Sequence, residues 1–222
     1  MDRRKFLANG LGVAGGAILT GSAFAEDYSV KDNTFKPHYT YNPFEDQRAL
    51  LSRNQNYVVQ NDILPQQDQD FWNKPRSISL YRSDTRESAE LVYHSNGQLN
   101  EREYHYACHL LRDVRQNKAV LMDPKLLDLV CATQAWLKYY GYNKPIYINS
   151  GYRTLKTNGS LEGASRNSMH LYGKALDFRV PGLTPMEIAK IAEKFRAGGV
   201  GIYPNNNFVH LDTGGVRVWV KK

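Results

Sequence analysis

The 222-residue sequence has only two cysteines, no internal repeat and, beyond its first 25 residues, no apolar run able to cross a bilayer. A helical span needs about 20 apolar residues, so membrane-embedded classes are excluded for the body of the chain. The missing repeat excludes solenoids and propellers. Cys108 and Cys131 allow one bridge at most. Both fall in apolar helical patterns, so two readings stand side by side: a disulfide formed in an oxidising compartment, or two buried thiols. Spacing alone does not say whether their Cα atoms lie within about 7 Å, as a bridge requires. Acidic residues are outnumbered, 22 against 29 basic, for a net charge of +7. What is plentiful is tyrosine: fifteen residues, enough to line a groove with phenols.

The first residues read as a targeting segment. Arg3-Arg4-Lys5-Phe6-Leu7 carries a twin arginine, a Gly- and Ala-rich apolar run follows from Leu11 to Leu19, and Ala23-Phe24-Ala25 offers an A-x-A cleavage site. The pattern predicts a signal peptide over 1–25, export to the periplasm by the twin-arginine route, and no stable membrane span after cleavage. Removing that segment takes away three basic residues and one acidic one, leaving a net charge near +5. An exported basic protein is poorly placed to meet nucleic acid, and an anionic cell-wall polymer is the better partner.

Residues 26–75 lack periodic pattern and read as an extended arm or linker, leaving 76–222 as the folded domain. Ser77–Tyr81 and Glu90–Tyr93 look like the strands of a hairpin ended by Ser95-Asn96-Gly97. Helical spacing runs from Tyr104 to Arg115. Asp123-Pro124 opens a second helix that stops at Gly141. Pro145–Asn149 and Leu176–Val180 read as strands. Thr184-Pro185-Met186-Glu187 is a capping box opening a helix that runs to Gly198-Gly199. Phe208–Asp212 alternates with period two, and Val216–Val220 is the last strand.

Side chains alternate across a strand, so Asp177 and His210 can each leave the core for a cleft. His170 lies seven residues before Asp177, with Gly173 between them to permit a bend. Two imidazoles, one carboxylate and a water make an open tetrahedral site for zinc or another transition metal. Calcium and magnesium prefer oxygen ligands. A structural zinc site would need a fourth protein ligand, and no convincing one stands out. The same residues also admit a plain reading, with His170 at the surface and Asp177 paired to Arg179.

Three ordered blocks add to this. Ser150-Gly151-Tyr152-Arg153-Thr154, Ser168-Met169-His170-Leu171-Tyr172-Gly173-Lys174-Ala175-Leu176-Asp177-Phe178 and Phe208-Val209-His210-Leu211-Asp212-Thr213-Gly214 resemble the zinc D-Ala-D-Ala metallopeptidases. The likeness covers about residues 77–219 and is strongest to the twin-arginine-exported murein DD-endopeptidases. It implies an α+β fold with a small antiparallel sheet flanked by helices, as in the hedgehog/DD-peptidase-like zinc folds. It also implies one zinc ion on His170, Asp177 and His210, and hydrolysis of peptidoglycan cross-links, D-Ala to diaminopimelate. Alternatives are a carboxypeptidase or LD-endopeptidase of the same class, or a non-catalytic wall-binding module. Better-known relatives carry an acidic general base three residues before the last histidine, where this chain has Asn207. Asp212 is therefore either the base or a carboxylate that orients a ligand. Arg153 is the candidate for a substrate carboxylate or developing oxyanion, with a structural ion pair as the other reading. Ser168 is a candidate hydrogen-bonding group near the metal.

Overall fold

A computed structural model describes residues 70–221. The signal peptide expected over 1–25 lies outside the described residues, as does the arm expected over 26–75 up to residue 69. Among the described residues, no helix is long and apolar enough to cross a membrane.

The elements follow local chemistry. A 3₁₀ turn at Phe71–Asn73 leads into strand β1 (Arg76–Arg82), which pairs antiparallel with β2 (Glu87–Ser95) as the expected hairpin. Asn96-Gly97 does more than end it. Both residues take positive φ, 52° and 75°, as a two-residue hairpin turn requires, and the turn adds the short β3 (Gln98–Leu99). Helix α1 (Glu101–Leu110) starts at the Asn100 N-cap and stops earlier than the expected Arg115. The reason is Asp113, whose side chain accepts from the backbone N–H groups of Arg115 and Gln116 and folds that stretch into a turn. Helix α2 (Pro124–Tyr139) begins as its sequence signals, with Asp123 accepting from Lys125 N and Pro124 in the first turn.

Strand β4 (Ile146–Ser150) and a short helix α3 (Leu155–Gly159) precede β5 (Ala175–Arg179). Helix α4 (Pro185–Ala192) has the Thr184/Glu187 capping box and breaks into a 3₁₀ turn at Glu193. It ends short of the expected Gly198-Gly199, where Arg196 takes a left-handed φ of 45°, and Gly199 opens β6 (Gly199–Tyr203), a strand the sequence reading leaves unassigned. The chain closes with β7 (Phe208–Asp212) and β8 (Arg217–Val220).

Among the described residues, the eight strands form one sheet in the order β3-β2-β1-β4-β5-β7-β6-β8. The α+β class is as expected, but the sheet is larger than anticipated and not wholly antiparallel: β1 with β4 and β6 with β8 run parallel. Helix α1 packs on β2, α2 on β1, and α4 on β6 and β7. They bury Ile78, Leu80, Leu91, Leu126, Val130, Val200, Ile202, Val209 and Leu211. Each such side chain contributes about 1.5–3 kcal/mol by leaving water. The residues between them on β5, β6 and β7 point to the other face, which is where the site lies. Cys108 and Cys131 are both free and buried, so of the two readings the thiols hold.

Candidate metal centre

Antiparallel pairing sets Asp177 of β5 directly opposite His210 of β7. In such a pair the two side chains share a face and lie close together. His170 arrives from a 3₁₀ turn, Met169–Tyr172, whose N-cap is Ser168. The Ser168 hydroxyl accepts from His170 N, so its contact is with the turn that carries the histidine. Gly173 ends the turn at φ 66°, a left-handed position suited to glycine, and the chain reverses into β5.

Three ligand atoms converge. His210 Nδ1 lies 2.7 Å from Asp177 Oδ1, His170 Nε2 lies 3.1 Å from the same oxygen, and the two nitrogens are 3.2 Å apart. Each imidazole has its remaining nitrogen engaged. His170 Nδ1 donates to the Gly151 carbonyl at 2.6 Å, and His210 Nε2 donates to Asp212 Oδ2 at 2.8 Å. That arrangement fixes the tautomers that turn the other two nitrogens inward. All three residues are buried. Two nitrogens and a carboxylate oxygen, each outer nitrogen held by an acceptor, fit a zinc-type ion.

The electrostatics agree. Burial would raise the Asp177 carboxyl, but the His170 and His210 imidazoles outweigh it and hold the group well below the carboxylate range. Burial lowers His170, against the pull of Asp177. It would lower His210 too, but hydrogen bonds to Asp177 and Asp212 win and raise that imidazole. A metal bound at His210 Nδ1 would therefore compete with a proton for that nitrogen.

Arg153 pairs with Asp177 Oδ2 and donates through Nε to Ser150 Oγ at 2.8 Å. The structural ion pair is therefore real, although Arg153 also lines the cleft. Gly151, beside it, packs so close to the backbone of Leu111 that a Cβ would fall 2.2 Å from its carbonyl oxygen. This explains a glycine between Ser150 and Tyr152, and it aims the Gly151 carbonyl at His170.

The geometry bears on the candidate base, Asp212, and on Asn207, which stands where relatives carry an acid. Asn207 is exposed at the β6–β7 turn with φ 53°, and its amide side chain has no basic site to offer. Asp212 has 0% exposure. Its Oδ1 accepts from Gly199 N, Gly214 N and Arg217 Nη1, and its Oδ2 from Arg217 Nη2 and His210 Nε2. A carboxylate has about four lone-pair sites, so five donors leave none for a water. Of its two sequence readings, orientation of His210 is the one this geometry favours. Those hydrogen bonds, led by His210 and then Arg217, overcome burial and hold its carboxyl below the usual range.

The triad opens on a cleft of ≈ 840 Å³. One wall is aromatic: Tyr203 stacks on Phe208 with centroids 4.3 Å apart, and Trp219 Nε1 donates to Tyr203 Oη at 3.3 Å. Sequence reasoning missed the Gly151 carbonyl, Tyr203, Arg217 and Trp219. The only signal was the alternation of Arg217 and Trp219 in the last strand, both of which line the cleft.

Comparison with known proteins places this geometry in a family. The family model described as peptidoglycan L,D-endopeptidase MepK matches residues 71–219. The peptidoglycan L,D-endopeptidase MepK of Escherichia coli K12 is 38% identical over 150 residues, which is 66% of this chain and 81% of that protein. A Haemophilus influenzae protein named probable peptidoglycan L,D-endopeptidase MepK is 41% identical over 115 residues, 50% of this chain and 61% of its own.

Proposed function

We propose, from the premise that this chain belongs to the family of the peptidoglycan L,D-endopeptidase MepK, that it uses zinc to hydrolyse an L,D peptide bond in peptidoglycan. Membership makes the chain a hydrolase of peptide bonds and peptidoglycan its substrate. The metal and the bond are what the proposal adds. Its main support is the convergence of His170 Nε2, Asp177 Oδ1 and His210 Nδ1 within 3.2 Å, with the outer imidazole nitrogens held by Gly151 O and Asp212.

When bound, the ion supplies Lewis acidity that polarises a scissile carbonyl and makes water nucleophilic near neutral pH. The chain's own residues do the rest. Asp177 and the two histidines hold the ion. Arg153 balances the buried Asp177 charge and sets a cation beside the place where an oxyanion develops. The aromatic wall and the buried floor exclude water from one side of the cleft, so these charges act in a low dielectric.

The L,D bond is preferred here to the D,D bond expected from the sequence, and the relatives' names support that preference. Those names also weigh against a wall-binding module without catalysis. Mature protein, stripped of metal and reloaded with zinc, should cleave muropeptides joined through an L,D bond, read as new monomers by mass spectrometry. Cleavage confined to D,D-linked muropeptides would refute the bond assignment, and equal activity of the stripped protein would refute the metal. Export to the periplasm belongs to the same proposal, supported by Arg3-Arg4 and Ala23-Phe24-Ala25. Arg3→Lys with Arg4→Lys should leave precursor in the cytoplasm, and normal processing would refute the twin-arginine route.

A further inference from the structure

We infer that β8 is a positioning strand for the metal centre: Arg217 and Trp219 reach across two bare glycines of β6 to hold Asp212 and His210 of β7. The inference rests on reading His170, Asp177 and His210 as metal ligands, and it assigns a task to residues outside that set.

The register carries the argument. Gly199 pairs with Asp212 on one side and Arg217 on the other, and Gly201 pairs with His210 and Trp219 in the same way. Strands β7 and β8 are thus two strand spacings apart, about 10 Å, with β6 between them. A side chain on β6 at either position would block the path. A Cβ on Gly199 would lie 2.6 Å from both Arg217 Nη1 and Asp212 Oδ2. A Cβ on Gly201 would lie 2.5 Å from Trp219 Cζ2. The two glycines leave the space over the β6 backbone that the guanidinium and the indole occupy.

What the two side chains reach is the support of one ligand. Arg217 donates to both Asp212 oxygens, 2.6 Å to Oδ2 and 3.1 Å to Oδ1, the two-pronged geometry an arginine offers a carboxylate. Asp212 in turn accepts from His210 Nε2. The Trp219 ring lies 5.3 Å from the His210 ring, and its far end is tied to Tyr203 Oη. Arg217 also sits over the Trp219 ring at 5.0 Å, so guanidinium and indole support each other. His210 is held through its nitrogen by the Arg217–Asp212 pair and flanked by the tilted ring of Trp219.

An ordinary role for β8 in closing the core does not account for this. Val218 and Val220 face away from the cleft and remain 52% and 51% exposed, and Val216 before them is 59% exposed. The apolar face of the strand thus buries little. Its close contacts are those on the cleft face, around Asp212 and His210.

The test measures the metal site directly in Arg217→Gln, Arg217→Lys and Gly201→Ala. Zinc affinity is read by chelator competition and coordination by the visible spectrum of the cobalt-loaded protein. Melting of the metal-free proteins identifies the folded variants. Arg217→Gln should weaken zinc about 10–100-fold, as loss of an outer-shell partner does. Arg217→Lys should recover part of that loss. Gly201→Ala, which displaces the indole but leaves the Arg217–Asp212 pair, should alter the cobalt spectrum. A purely structural role would lower melting temperature and leave the affinity and spectrum of the folded protein unchanged. Should Arg217→Gln fail to fold, Gly201→Ala decides alone. Wild-type affinity and spectrum in the folded variants would overturn the inference and leave the metal reading standing. A wild-type protein that binds no zinc would overturn both.

Discussion

Asp212→Asn separates orientation of a ligand from proton transfer. The native carboxylate is fully buried and receives five hydrogen bonds, from Gly199 N, Gly214 N, two arms of Arg217 and His210 Nε2. The amide keeps one accepting oxygen and sets an NH₂ where the other stood. If the NH₂ faces His210 and Arg217, two donors confront donors. If it faces Gly199 and Gly214, two backbone N–H groups and Arg217 Nη1 lose their acceptor. Each buried donor left unpaired costs about 1–3 kcal/mol, and Arg217, 45% exposed, recovers part of its share from water. The larger effect falls on the metal. His210 loses the charged acceptor that holds its Nε2–H and raises the basicity of Nδ1, so zinc affinity should fall about 10–100-fold. At saturating zinc, turnover should return to near the wild-type rate. Chelator competition and kcat measured on one preparation decide it. Intact affinity with kcat reduced about 10²–10⁴-fold would mark Asp212 as the general base and refute the reasoning from its hydrogen bonds.

Other outcomes follow from the same geometry. His170→Ala and His210→Ala should each lose zinc measured by elemental analysis, because a three-ligand site has no spare; full occupancy in both would remove the proposed centre. Zinc affinity should fall as pH drops, because His210, raised by Asp177 and Asp212 against its burial, keeps a proton that the metal must displace. The sign runs one way: above the raised His210 value affinity levels off, and below it affinity falls by up to about tenfold per pH unit for one displaced proton. Titration of zinc binding between pH 5 and 8 checks this, and a flat profile would contradict it. Cys108 and Cys131 should resist thiol reagents in the native protein, since burial pushes both thiols up to about 12. Rapid labelling at pH 8 before unfolding would show that the helices holding them open readily.

Much of the architecture is written locally. Asp123-Pro124 and Thr184–Glu187 start helices where their cap chemistry says, because a cap needs only residues three or four positions apart. The period-two pattern of Phe208–Asp212 likewise shows which side chains leave the core. The three candidate ligands are legible because each sits in a short block with its own motif. Local signals failed where local chemistry competes or is silent. Asp113 turned the end of α1 into a loop through hydrogen bonds that helical spacing does not report. Strand β6 went unread because its glycines at 199 and 201 give no alternating side-chain signal. Those glycines matter through what crosses them, and that depends on β8 lying alongside in parallel register. The role of Asp212 was undecidable from its own strand, because its donors come from Gly199, Gly214 and Arg217 as well as from His210. Caps, strand faces and the three candidate ligands are thus matters of neighbours in the chain. Only the tertiary structure decided the partner of each outer imidazole nitrogen, the burial of Asp212 and the reach of Arg217 and Trp219, because those depend on strands brought together by pairing.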